Sequence, residues 1–241
     1  MAYTASSSGG QSDVWVLELG RGLSTRITFN GGSFPKWSPD GKQLYYVNAK
    51  GIHRKAADGS GVEELLLQGN GNDQPSGVSP DGKVLLYGID DIKKLSLSGE
   101  RKSEAYLETK YSESGAVFSP DGRWVAYFSD ESGRPEIYVE GYPERRGKWL
   151  VSAEGGVLPQ WRGDGKELYW SKPDGTLMAA SMVLQAGGVQ VGRAEALFRG
   201  TGLFGYFRSA NDGKRFLIAE QEGGEQAFPM VVIENYAARL Q

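Results

Sequence analysis

Hydrophobic residues fall in short runs separated by polar or glycine-containing turns, and the runs recur in one order along the chain. Aromatic-rich stretches, QLYYV, VLLYG, WVAYF, ELYWS and RFLIA, each follow an Asp-Gly pair. A short apolar segment precedes the pair, as in PKWS or GAVFS. After a further turn comes a third run, GIHRKA, IKKLSL, EIYVEGY, TLMAAS or PMVVIE. A fourth, EELLL, EAYLE, KWLVS or EALFR, closes most units. Runs of this length, rich in aromatic and β-branched residues and bounded by turn residues, predict strands. Helical periodicity is confined to the terminal ENYAARLQ, too short to stand alone.

The turns set the period. Asp40-Gly41, Asp81-Gly82, Asp121-Gly122, Asp164-Gly165 and Asp212-Gly213 are spaced by 41, 40, 43 and 48 residues, and each is followed by Lys or Arg. Asp-Gly reaches the positive φ values of a tight hairpin. Four strands in a period near 40 predict an all-β fold: a β-propeller of four-stranded antiparallel blades. A single domain over 1–241 divides into units of about 1–34, 35–74, 75–113, 114–157, 158–205 and 206–241, the first and last incomplete. MAYTAS aligns with VAYFSD, so the chain starts within a second strand, and STRIT is placed to pair with PMVVIE and close the ring. Either five blades with a surplus hairpin or six with an incomplete first blade satisfy the pattern. The phase at the two ends predicts a segment of a longer protein.

Composition narrows the chemistry. The 27 basic and 30 acidic residues nearly cancel, which leaves no global field to recruit nucleic acid or anionic membrane. No cysteine is present, so disulfides, thiolate metal sites and cysteine nucleophiles are excluded. The 35 glycines suit many tight turns. No apolar run is long enough to span a bilayer as a helix, and the first residues lack the pattern of a signal peptide.

The turn sequences WSPDGK at 37–42, VSPDGK at 78–83 and FSPDGR at 118–123 resemble the TolB-type, WD-repeat-like β-propeller repeat, with worn copies at 161–166 and 209–214. In the second half, EIYVEGYPERRGKWLVSAEGGVLPQWRGDGKELYW and DGTLMAASM are similar to the C-terminal propeller of bacterial receptor-type serine/threonine kinases. That resemblance implies a sensing or scaffolding part on the extracytoplasmic, periplasmic side of a membrane. The kinase's own Gly-rich, HRD and DFG motifs do not occur here.

Candidate chemistry is sparse. His53, the sole histidine, has no G-x-S-x-G serine to serve and reads as a strand or rim residue. The repeated turn aspartates offer one carboxylate each, which Asx-type hydrogen bonding explains without a metal. GNGNDQ at 69–74 is the most oxygen-rich loop. Asp90-Asp91 and Asp130-Glu131 lie in loops between second and third strands and read as solvated, although paired carboxylates can hydrolyse glycosides. Arg145, Arg146 and Lys148 form a local basic cluster near Tyr142 and Trp149. Trp37, Phe118, Trp161 and Tyr46, Tyr87, Tyr127, Tyr169 recur at blade period and read as core.

Aromatic residues outside the repeat are the better recognition candidates. In a propeller, loops from fourth to next first strand share a face with loops from second to third. Candidate binding residues on that face are Phe34, Tyr111, Asp130, Glu131, Phe204 and Tyr206. The sequence therefore reads as a monomeric, non-catalytic binding scaffold or sensor, without metal or cofactor, that takes a protein or peptide, with a glycan as the other candidate. A substrate-gating propeller of a prolyl-oligopeptidase-type peptidase is the alternative, followed by a glycan hydrolase or lyase. Lyases built on related repeats rely on histidine and metal ligands.

Overall fold

The structure, a computed structural model, describes residues 1–6, 10–69, 71–199, 207–219 and 230–234. The described residues form strands joined by turns, arranged as six antiparallel sheets. The first has three strands, β1 (Ala2–Ser6), β2 (Ser12–Glu18) and β3 (Leu23–Arg26). The second has four, β4 (Ser33–Trp37), β5 (Gln43–Asn48), β6 (Gly51–Ala56) and β7 (Glu64–Gln68). The third comprises β8 (Pro75–Val78), β9 (Val84–Tyr87), β10 (Ile92–Ser96) and β11 (Ser103–Leu107). These three make up one compact unit, Met1–Lys110.

The other unit is Tyr111–Gln241. Its first sheet has β12 (Glu113–Phe118), β13 (Trp124–Ser129), β14 (Glu136–Gly141) and β15 (Lys148–Leu150). Next come β16 (Val157–Trp161), β17 (Glu167–Ser171), β18 (Thr176–Gln185) and β19 (Gly188–Arg199). The sixth sheet has β20 (Phe207–Ser209), β21 (Arg215–Ala219) and β22 (Met230–Glu234). β3 is laddered to β2 and β22 to β21; the STRIT–PMVVIE pairing is not among the ladders of the described residues. ENYAARLQ lies outside the described residues.

Each inner hairpin is pinned by a small hydrogen-bond network. Ser38 Oγ donates to Asp40 Oδ1 at 2.5 Å, and the Lys42 amide donates to the same oxygen at 3.0 Å. The Gln43 amide then donates back to Ser38 Oγ at 2.9 Å. Ser79 with Asp81, and Ser119 with Asp121, repeat the arrangement. The glycine after each aspartate has φ near +70°: 70° at Gly41, 72° at Gly82, 70° at Gly122, 73° at Gly165 and 69° at Gly213. At the fourth copy Arg162 replaces the serine and its guanidinium grips Asp164 at 2.7 and 2.8 Å, holding that carboxyl down at about 2. At the fifth only the backbone part survives, with the Lys214 amide donating to Asp212 at 2.9 Å.

Within each unit the cores lie between successive sheets. Val14, Ile27, Leu44 and Tyr46 fill one layer; Tyr45, Ile52, Leu85, Tyr87 and Leu95 fill the next. In the second unit Trp124, Ile137, Val139, Leu168 and Trp170 form one layer, and Tyr169, Phe198, Phe207 and Phe216 another. The recurring tyrosines each bury a ring and send the hydroxyl to a polar partner: Tyr46 to Glu63, Tyr87 to Ser103, Tyr127 to Glu140, Tyr169 to Glu167. The β18–β19 hairpin is longer than TLMAAS and EALFR suggest. Its extension places Met182, Leu184, Val189 and Val191 against the Trp124 layer. Trp149 fits there because Gly147 and Gly188 carry no Cβ, which would stand 2.1 and 2.8 Å from the indole. The alternation of VLQ and VQV about AGG is the signal for that extension.

In the first unit His53 is 3% exposed and stacked on Tyr46 at 5.6 Å, with neither ring nitrogen hydrogen-bonded among the described residues. Burial lowers its pKa, so the unfolded chain takes up a proton before the folded one does. The stability this contributes is complete above the unfolded value of about 6.5 and is lost as pH falls through the lower folded value. Melting temperature should therefore drop as pH falls below about 6.5, and His53→Leu should flatten that drop; equal slopes for both proteins would refute the assignment.

Candidate functional site

Two sheets fasten the loop that follows the fourth strand to the start of the third with a buried carboxylate. In the first, Asp13 is 1% exposed. It accepts from Arg26 Nη2 at 2.5 Å, Thr28 Oγ1 at 2.9 Å and the Gly31 amide at 3.2 Å. Thr28 Oγ1 in turn accepts from the Val14 amide at 2.9 Å. In the fourth sheet Glu136 is 2% exposed. It accepts from Arg134 Nε at 2.7 Å, from Ser152 Oγ, and from the Gly155 amide at 2.9 and 3.0 Å. Ser152 Oγ accepts from the Ile137 amide at 2.8 Å.

The two latches share residue types and spacing: an acid before an aliphatic (Asp13-Val14, Glu136-Ile137) and, beyond the fourth strand, TFNG and SAEG. A buried carboxylate needs such donors, because leaving it unpaired is costly. Asp13 and Glu136 are not among the candidate residues that the repeat pattern singles out. Their signal is the recurrence of acid-aliphatic with [ST]-x-x-G in two units.

The latches and loops build the two-loop face within each unit. In the second unit Asp130 Oδ1 accepts from the Ser112 amide at 2.9 Å, and Glu131 pairs with Lys148. Lys172 pairs with Glu154 at 2.9 Å, which joins the loop after β15 to the turn after β17. Tyr111 is 37% exposed. The basic cluster is neutralised, Arg145 by Glu140 at 2.7 Å, Arg146 by Glu144 at 2.5 Å and Lys148 by Glu131.

In the first unit Phe34 is 36% exposed and sits at a register shift in β4 with φ of 55°. The left-handed backbone there re-aims the side chain. Leu158 in β16 and Gly115 in β12 occupy matching bulges, with φ of 55° and 68°. Phe204 and Tyr206 lie outside the described residues.

The same face of the first unit holds a polar cleft of about 360 Å³. The oxygen-rich loop at 69–74 supplies Asn72 and Asp73, the turn after β9 supplies Ile89 and Asp91, and β10 supplies Lys93. The Gly88 amide donates to the Gln74 carbonyl oxygen at 3.0 Å and joins the two loops. Each loop folds back tightly on itself at a glycine: a Cβ on Gly69 would stand 2.1 Å from Asp73 Oδ2, and one on Gly88 would stand 2.2 Å from the Asp91 carbonyl oxygen. Sequence spacing gave no reason to bring Asp73 and Asp91 together.

No protein-family model matches the chain. Among solved structures it is similar to TolB from Acinetobacter baumannii, with a TM-score of 0.75 and 17% identity over 98% of this chain. The chain spans 61% of the length of that TolB. An oligogalacturonate lyase in complex with manganese matches 96% of the chain at a TM-score of 0.62 and 16% identity, over 70% of its own length. A chain of the nidogen/laminin complex matches 97% at 0.69 and 14%, over 88% of its own length. The fold is that of the TolB-type β-propellers. Its relatives in shape include both binding proteins and enzymes, so shape alone assigns no activity.

The latches generate a stability prediction. Glu136→Ala leaves the Ser152 hydroxyl and the Gly155 amide without their acceptor and should cost about 3 kcal/mol in chemical denaturation. Glu154→Ala, which removes a largely exposed carboxylate, should leave the midpoint unchanged. Equal midpoints for the two variants would show that the latch does not hold the loop.

Proposed function

We propose that this chain is a non-catalytic propeller module, a scaffold or sensor that presents its loop face to a protein or peptide. The observation that carries the reading is the contrast between that face and the chain's one imidazole. The loops are held by buried carboxylates at Asp13 and Glu136, while His53 is sealed under Tyr46, out of reach of any substrate. Rigid loops limit the entropy lost on binding, and Phe34 and Tyr111 give partly exposed aromatic anchors. Asp130 and Glu131 are occupied by Ser112 and Lys148, which speaks against a paired-carboxylate hydrolase at that loop. No group of three His, Cys, Asp or Glu side chains suited to a metal occurs among the described residues. A gating propeller of a prolyl-oligopeptidase-type peptidase is the second reading; it shares the fold and would place the chemistry in another domain.

Photo-crosslinking tests the face. A benzoylphenylalanine at position 34 or 111 should capture a protein partner in the cell envelope, whereas one at Val62, in the loop between β6 and β7, should not. Capture from position 62 alone, or turnover of oligogalacturonate by the purified chain, would overturn the reading.

The likeness of the EIYVEGY…ELYW and DGTLMAASM stretches, 136–170 and 174–182, to the propellers of receptor-type kinases supports a place in a longer, extracytoplasmic receptor. Closure of the sheets into one ring, with the first sheet as its seal, belongs to the same proposal. Deletion of residues 1–29 should then lower the melting temperature of the remainder by several degrees, and an unchanged value would count against closure.

A further inference from the structure

We propose that the cleft between the 71–74 segment and β10 is a subsite for a neutral saccharide ring. The cleft stands where the third sheet departs from the repeat. Lys93 is the cross-strand partner of Tyr87, as Tyr138 is of Tyr127 and His53 is of Tyr46. Asp91 therefore occupies the position of Glu136, the latch carboxylate. Glu136 is buried and fully engaged, but Asp91 is only half-buried and opens on the cleft. The neighbouring position is altered too. Where the second and fourth sheets stack a ring on the tyrosine, the third has an amine, which lines the cleft.

The three charges stay unspent. Asp73, Asp91 and Lys93 make no side-chain hydrogen bond or ion pair with another described residue. Nearby charges on the same two sheets do pair, Lys94 with Glu104 at 3.1 Å and Arg101 with Glu64 at 2.8 Å. Structural bracing thus accounts for those charges and, among the described residues, leaves Asp73, Asp91 and Lys93 for a ligand. At about 360 Å³ the cleft is within the range of small-molecule sites, about 300–1,000 Å³.

Charge selects the ligand class. A cationic ligand is favoured by two carboxylates and opposed by Lys93. An anionic one is favoured by Lys93 and opposed by both aspartates. Hydroxyl groups satisfy all three, because each donates to a carboxylate and accepts from an ammonium. Ile89, 40% exposed on the cleft, offers the apolar contact that the C–H face of a sugar ring takes. The inference shares with the proposed function only the premise of binding without turnover, and it holds whichever protein partner the loop face takes.

The test is a titration of the whole chain, followed by amide NMR, with methyl glycosides of glucose, galactose, mannose and N-acetylglucosamine. At least one should shift the Gly69, Gly88 and Asp91 amides saturably. Asp91→Asn or Asp73→Asn should weaken it by about tenfold, since each removes a charged hydrogen-bond acceptor. Both variants should melt as the parent does, because these side chains brace nothing. Glucuronate, glucosamine and lysine amide should bind more weakly than the neutral sugar. The proposal fails if no neutral glycoside shifts those amides, if an amine or a uronate binds more tightly, or if the Asn variants bind unchanged. Release of methanol from a bound glycoside would instead overturn the non-catalytic reading and leave the subsite standing.

Discussion

A sheet of three or four short strands cannot bury both of its faces by itself, and this constraint shapes the rest of the chain. Within each unit successive sheets supply one another's missing cover: Tyr46 and Ile27 between the first and second, Leu85 and Ile52 between the second and third. In the second unit Trp170 meets Ile137, and Phe216 meets Phe198. Since each layer draws on two sheets, every sheet must present the same profile at the same register. The hairpin turn fixes that register, and the Ser-Asp-amide network at Asp40, Asp81 and Asp121 fixes the turn.

Packing also explains how binding loops can be precise without regular structure of their own. Loops are ordinarily the mobile part of a fold. Here the loop after a fourth strand is tied back to the start of the third strand by a buried carboxylate that collects hydroxyl, amide and guanidinium donors in one place. The bond set at Glu136 is of the same kind. A charge that is expensive to bury becomes a positional constraint once every acceptor site is filled. The third sheet has the acid at the same place but leaves it on a cleft beside Lys93. Repetition makes such a departure visible, because the latches at Asp13 and Glu136 supply the reference.

Much of the architecture was legible in the sequence because it is local or periodic. Asp-Gly pairs need only neighbouring residues to form their turns, so strand order, hairpin sites and the burial of Tyr46, Tyr87, Tyr127 and Tyr169 follow from spacing alone. The strand alternation likewise identified the loop face as the place where second-to-third and fourth-to-first connections meet. Aromatic candidates such as Phe34 were readable as exceptions to the repeat, but the positive φ that turns Phe34 at its bulge was not.

What only the tertiary structure decided concerns pairs of groups distant in sequence. Arg145, Arg146 and Lys148 read as a basic patch until folding brings Glu140 and Glu131 to them beside the local Glu144. Asp73 and Asp91 belong to different loops with different sequence meanings, and they share a cleft because the Gly88 amide donates to the Gln74 carbonyl oxygen and ties the two loops together. The latches likewise join Asp13 to Gly31 and Glu136 to Gly155 across a whole hairpin. Turn chemistry and hydrophobic period act over a few residues, so the sequence alone determined the propeller repeat. Charge pairing acts through space, so the tertiary structure decided which charges are spent on the fold and which are left to bind.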